Sequence, residues 1–213
     1  MAPPSYPNSR PLPIVHINAF PGTGKLTVAQ KLTRLAPSGV LRLVHNHLLI
    51  NPADAVLRRD EAGYQSLRHR LRSVVFSSLI DEPATRTAAY IFTDFQTSNN
   101  LGSAVCQEYE NCARKRGSLF IPITFVCDED VNLQRLCEGD RSSHGKLTDA
   151  VLLSTFRSGA VLYEFDMNPL HLRLDVSHLS ADDAALQLLQ HLQQVCPELG
   201  HYLGNGKGDD SMN

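Results

Sequence analysis

Ala19-Phe20-Pro21-Gly22-Thr23-Gly24-Lys25-Leu26-Thr27 follows a short apolar run, Pro13-Ile14-Val15-His16-Ile17. It precedes Val28, Leu32 and Leu35, which fall at helical spacing. Strand, glycine-rich turn and helix start together form the setting of a phosphate-binding loop. Unpaired backbone N–H groups and the positive end of a helix there meet anionic oxygens. Gly22 and Gly24 let the backbone come close to a phosphate, where a Cβ would clash or force a disfavoured φ. Lys25 offers a mobile charge to the terminal phosphates, and Thr27 offers a hydroxyl to Mg²⁺. The expected nucleotide contacts are therefore Pro21, Gly22, Thr23, Gly24, Lys25, Leu26 and Thr27.

The loop departs twice from the Walker A pattern, G-x-x-x-x-G-K-[ST]. Ala19 stands where the first glycine would be, and Leu26 stands directly after the lysine. The hydroxyl arrives one residue later, at Thr27.

A chain of 213 residues that is 42% hydrophobic is long enough for one domain with a full core. Its formal net charge of −2 provides no global basic field, so no nucleic-acid partner is expected. The cysteines Cys106, Cys112, Cys127, Cys137 and Cys196 are scattered without a C-x-x-C pair, which favours reduced thiols over a zinc site or a disulfide framework. Residues 1–13 are proline-rich and lack the apolar centre of a secretory signal. No run reaches membrane-spanning length. A soluble, cytoplasmic protein with no membrane partner is the expectation. The oligomeric state is not legible.

Strands are expected at residues 14–18, 40–44, 88–92, 119–126 and 172–176, with Pro122 making the fourth irregular. Helices are expected from the loop to residue 36, then over 53–59, from Gly63 onward, and over 104–115, 131–136, 148–156 and 184–195. In the helix after Gly63 the apolar stripe is Tyr64, Leu67, Leu71, Val74, Val75 and Leu79. Residues 1–12 and 204–213 read as disordered tails around a single domain, 13–203. Alternating strands and helices make this an α/β chain, with a parallel sheet covered on both faces. Its chemistry belongs at the carboxyl ends of the strands: His45 and His47, Asp94, and the loop after Val126.

The Lys-x-Thr spacing after Pro-Gly-Thr-Gly resembles the loop of adenylate kinases. The order of motifs resembles the small P-loop kinases: nucleoside monophosphate, shikimate and gluconate kinases and chloramphenicol phosphotransferase-like proteins. Similar chains of unassigned activity, grouped as AAA-family ATPases, carry an Asn-His pair after the second strand and a His-x-Lys-Leu-Thr-Asp run. Here these are Asn46-His47 and His144-Gly145-Lys146-Leu147-Thr148-Asp149.

The resemblance implies a three-layer P-loop fold with five parallel strands in the order 2-3-1-4-5 and a small lid at about 137–148. It implies ATP and Mg²⁺ as cofactors, with Thr27 and Asp94 at the metal, since Ile91-Phe92-Thr93-Asp94 looks like a Walker B end. Arg135 and Arg141 would be lid arginines, with Arg141 at the transferring phosphoryl group and His144 and Lys146 beside it. Residues 174–177 resemble the turn that touches adenine. The catalytic base is open between His47 and Asp94, because the Asp that shikimate kinases carry after strand two is absent. Arg68 and Arg72 share a helix face, which suits either an anionic acceptor or plain solvation. The activity implied is transfer of the γ-phosphate to a hydroxyl or phosphate of a small molecule. A nucleotide-dependent ATPase or switch without kinase activity is the alternative.

Overall fold

Every residue of β1 (Ile14–Asn18) is buried, which is the condition of a central parallel strand covered on both faces. A computed structural model describes residues 10–137, 157 and 159–204. After β1 come α1 (Lys25–Arg34), β2 (Leu41–His45), α2 (His47–Asp54) and α3 (Tyr64–Asp81). A single 3₁₀ turn, Pro83–Thr85, leads into β3 (Ala89–Asp94), α4 (Asn100–Arg116), β4 (Phe120–Val126) and α5 (Glu129–Cys137). The described chain ends with β5 (Leu172–Asp175), α6 (Ala181–Val195) and α7 (Pro197–Gly204). The strands form one parallel sheet in the order β2-β3-β1-β4-β5, the expected arrangement.

Side chains alternate across the sheet. Val15, Ile17, Ile121 and Ile123 join Leu32 of α1 and Leu188 and Leu192 of α6 in one core. Ile14, Phe92 and Phe120 join Phe76 of α3 and Tyr109 of α4 in the other. The caps fit the sequence. Asn99 Oδ1 accepts from Gly102 N at the start of α4, which stops at Gly117 in the left-handed region, φ +73°. Ser180 Oγ accepts from Asp183 N at the start of α6.

Several expectations are corrected. The helix after β2 begins at His47 rather than residue 53, and Pro52 lies within it. The Asn46 carbonyl nucleates this helix by accepting from both Leu49 N and Ile50 N, so Asn51-Pro52 does not break the chain. On α3 the buried residues are Tyr64, Arg72, Phe76 and Leu79, whereas Val74 is 68% exposed. An arginine entered the buried stripe because it has a carboxylate partner, a pairing that apolar periodicity does not register. β4 is regular through Pro122, since its ladder to β5 begins only at Ile123. Pro11 and Leu12 are already buried, with Leu12 N donating to Arg86 O at 3.0 Å, so packing begins ahead of residue 13. The expected lid at 137–148 and the helix at 148–156 lie outside the described residues, apart from the end of α5. Cys106, Cys112, Cys127 and Cys196 are buried free thiols. Among the described residues, no helix is long and apolar enough to cross a membrane.

Arg116, at the end of α4 and 3% exposed, holds the entry to β3. Its guanidinium donates to the carbonyls of Leu79, Thr85 and Ala88 and to Thr85 Oγ1. Arg116→Met would leave these buried acceptors without their donor. Chemical denaturation should show a loss of about 3 kcal/mol, since bonds to charged donors contribute about 1.5–3 kcal/mol each. A loss near zero would mean that the carbonyls find other donors.

Candidate nucleotide site

The glycine-rich loop is shaped by two glycines acting differently. Gly22 (φ +92°) and Gly24 (φ +87°) both occupy the left-handed region. A Cβ on Gly22 would lie 2.4 Å from Asn132 Nδ2, whereas one on Gly24 would meet nothing within 4 Å. Gly22 thus serves close approach as well as conformation. Gly24 serves conformation alone and is the N-cap of α1. Thr23 Oγ1 donates to Phe20 O at 3.0 Å. Lys25 Nζ curls over the loop and donates to Ala19 O at 3.0 Å and Phe20 O at 3.2 Å. Leu26 is half-buried, and Thr27 is exposed in the first turn of α1.

Asn132 of α5 is fully buried and supports the loop from outside. Its Nδ2 donates to Pro21 O at 2.9 Å, and its Oδ1 accepts from Arg157 Nη1 at 2.9 Å. Arg157 Nη2 donates to Cys127 O at 2.9 Å, and its guanidinium carbon stands 5.0 Å from the centroid of the Phe20 ring. The loop therefore rests on a positively charged support that sequence reading did not single out.

Strand register brings Asp94 beside this loop. Asn18, the last residue of β1, pairs with Asp94, the last of β3, and Ala19 N donates to Asp94 O. The Asp94 carboxylate is buried and accepts three bonds: from Phe95 N at 2.8 Å, Gln96 Nε2 at 2.9 Å and Tyr109 OH at 3.1 Å. Burial, and then the charge of Asp94, push the Tyr109 phenol well above its ordinary range. His16 lies with its ring centroid 4.4 Å from that of Tyr109. It is fully buried, and neither ring nitrogen has a hydrogen-bond partner among the described residues. Desolvation lowers its pKa to about 4, against a smaller upward pull from Asp94.

The acceptor-side candidates are spread over three elements. His45 ends β2 and His47 opens α2, both half-buried, with ring centroids 6.1 Å apart. On α3 the two arginines part company. Arg72 closes bidentately on Glu108 of α4 at 2.7 and 2.9 Å. Arg68 is half-buried, and its Nε is buried with no hydrogen-bond partner among the described residues. Its charge is felt at Asp54, Tyr64 and Tyr109.

Arg135 takes a supporting position. It donates to the carbonyls of Val176, Ser177 and Leu179, bracing the turn after β5. Asp175 Oδ1 fixes the same turn by accepting from Ser177 N and Ser177 Oγ. Arg141, His144 and Lys146 lie outside the described residues. Two other features lie apart from the loop. Glu164, Asp166 and His171 bring ligand atoms within 4.8 Å of one another, but Arg173 faces Glu164 at 3.5 Å and supplies the balancing charge. A surface cavity of about 340 Å³ is lined by Ser73, Val74, Ser77, Ser78, Asp81 and Glu82, on the half of α3 that leads away from the strand ends.

Sequence reading passed over Asn132, Arg157, Gln96, Tyr109 and His16. Tyr109 did leave a signal, a phenol in the helix stripe of Val105, Cys106, Cys112 and Ala113, where its hydroxyl must find a partner. Asn132 and Arg157 left none, because their partners lie far along the chain, and Gln96, though two residues from Asp94, is fixed by Asn18 at a distance of 78 residues.

The strand order and the loop give an α/β domain with the fold of the small P-loop kinases. Solved structures agree. The chain is similar to a sugar kinase from Janibacter sp. HTCC2649, at 17% identity and TM-score 0.60, over 89% of this chain and 98% of that one. It is similar to a gluconokinase from Sinorhizobium meliloti 1021, at 14% identity and TM-score 0.57, over 91% and 98%. It is also similar to the Mycobacterium tuberculosis APS kinase solved with AMPPNP and APS, at 17% identity and TM-score 0.56, over 87% and 99%. No protein-family model and no curated protein matches the chain.

His16 makes stability pH-dependent. Between about pH 6.5 and about pH 4 the unfolded chain takes up a proton that the folded chain excludes. Its contribution is therefore complete above that window and is lost as pH falls through it, by up to about 3 kcal/mol. Relative to the unmodified chain, His16→Leu should gain about that much between pH 7 and pH 4 in denaturation experiments. A difference independent of pH would place the imidazole in contact with water.

Proposed function

We propose that the chain is an Mg²⁺- and ATP-dependent phosphotransferase acting on a small, anionic acceptor. The observation that carries this reading is the strand register that sets Asp94 against the start of the glycine-rich loop. The residues fit the phosphates of a nucleotide: a turn bent through the left-handed region at Gly22 and Gly24, a helix N-terminus behind it, and the Lys25 ammonium above it. They also fit Mg²⁺, which favours carboxylate and hydroxyl oxygens, directly or through water; Asp94 and Thr27 offer these. When bound, the nucleotide supplies the phosphoryl group and the metal offsets its charge.

In this reading the amides at Gly22 to Leu26, with Pro21 and Thr23 shaping the turn, position the phosphates, and Lys25 neutralises them. Asn132 and Arg157 hold the loop in place. Arg135 keeps the turn at 174–177 in shape for the base, and Arg141, outside the described residues, is the candidate contact to the transferring phosphoryl group. Arg68 binds the acceptor's anionic group; its buried, unpartnered Nε supports that role. His47, the first residue of α2 just beyond β2, is the candidate proton acceptor. The domain runs from about residue 11 to about residue 204.

Incubation with labelled ATP and a metabolite extract tests the proposal. One anionic compound should gain phosphate, and Lys25→Ala should abolish the transfer while the fold persists. Arg68→Met should raise the KM for that compound about tenfold or more, as loss of a charged hydrogen bond implies. Hydrolysis of ATP with no labelled product would favour a nucleotide-dependent ATPase or switch.

A further inference from the structure

We infer that Tyr109 and Gln96 are positioning residues for the metal, acting through Asp94; this rests on the reading of the loop as a Mg²⁺-nucleotide site. A carboxylate at the end of a strand can rotate about its side-chain bonds, and Asp94 is prevented from doing so. Phe95 N holds one of its oxygens, while Gln96 Nε2 and Tyr109 OH hold the other. A carboxylate has about four lone-pair sites, so three fixed donors leave one direction open.

The two side-chain donors are themselves held from several sides. Asn18, the last residue of β1, accepts from Gln96 N and donates to Gln96 O, both at 2.8 Å. It also donates to Tyr163 O at 2.9 Å. Gln96 is thereby tied to the strand that delivers the loop. The ring of Tyr109 is 1% exposed, with the rings of His16, Phe76 and Phe92 at centroid distances of 4.4, 5.1 and 5.2 Å. Its chain neighbour Glu108 is clamped by Arg72, which ties this part of α4 to α3. The hydroxyl thus reaches Asp94 from a helix that cannot rotate without breaking an ion pair and a ring cluster. Partners that orient a metal-holding carboxylate in this way typically matter about 10–100-fold in metal affinity.

The test uses the full chain with AMPPNP and Mn²⁺ in place of Mg²⁺. Bound Mn²⁺ is read from the loss of the free-ion EPR signal, and melting temperature is recorded alongside. Tyr109→Phe keeps the ring and removes only the hydroxyl; Gln96→Met keeps the length and removes the amide, and serves if the first variant does not fold. Each should weaken Mn²⁺ binding about tenfold while AMPPNP still binds. Asp94→Asn is measured in parallel. Unchanged Mn²⁺ affinity in both variants, with a weakened Asp94→Asn, overturns the positioning role and leaves the site reading intact. A lowered melting temperature with unchanged Mn²⁺ affinity has the same meaning. Unchanged affinity in Asp94→Asn overturns the metal role of Asp94, and failure of the unmodified chain to bind AMPPNP overturns the loop reading; the inference falls in either case.

Discussion

The parallel pairing of β1 with β3 is the constraint on which the rest of the molecule depends. Because Ile14 pairs with Tyr90, the two strands end together at Asn18 and Asp94. A register shift of one residue would turn the side chains of β3 to the opposite face. Phe92 and Asp94 would then leave the side of Tyr109, and the loop would open beside Thr93 or Phe95. The core therefore enforces the site. The apolar alternation that seats Ile14 and Phe92 against α3 and α4 also brings a carboxylate to the edge of the glycine-rich turn.

Charge on the α3–α4 side is handled in two ways. Arg116 and Asp94 are buried with several hydrogen-bond partners each, and Arg72 is buried against the Glu108 carboxylate, as buried charge requires. His16 is buried with neither nitrogen satisfied among the described residues, and avoids the cost of charge by staying neutral. A phenylalanine would fill such a site without polar cost, and no contact of His16 among the described residues explains the imidazole. Its ring lies tilted against that of the tyrosine that holds Asp94, a place where the core departs from local consistency.

The sheet was legible because its signals are local. Short β-branched and apolar runs, each followed by a helical period, give five strands and their parallel sense, and Gly22 to Lys25 give the loop. What the sequence concealed depends on contacts between distant residues. Apolar periodicity placed Val74 inside and Arg72 outside; the ion pair with Glu108 reverses both. Asn51-Pro52 reads as a break, but the Asn46 carbonyl had already started the helix. Asn132 lies 111 residues beyond its partner Pro21, so its support of the loop leaves no local trace. The same applies to Arg157, and it is why Arg135, read as a phosphate contact, is found bracing the turn after β5.

The central claim is that the loop between β1 and α1 receives phosphates on its own backbone. Amide hydrogen exchange of the full chain, with and without AMPPNP and Mg²⁺, tests this most directly. Hydrogen bonds to phosphate oxygens should slow exchange at residues 22–26 by about tenfold or more, since each such bond contributes about 1.5–3 kcal/mol. Exchange at these residues that is unchanged by saturating nucleotide, or slowed only at a surface far from Asp94, would contradict the account.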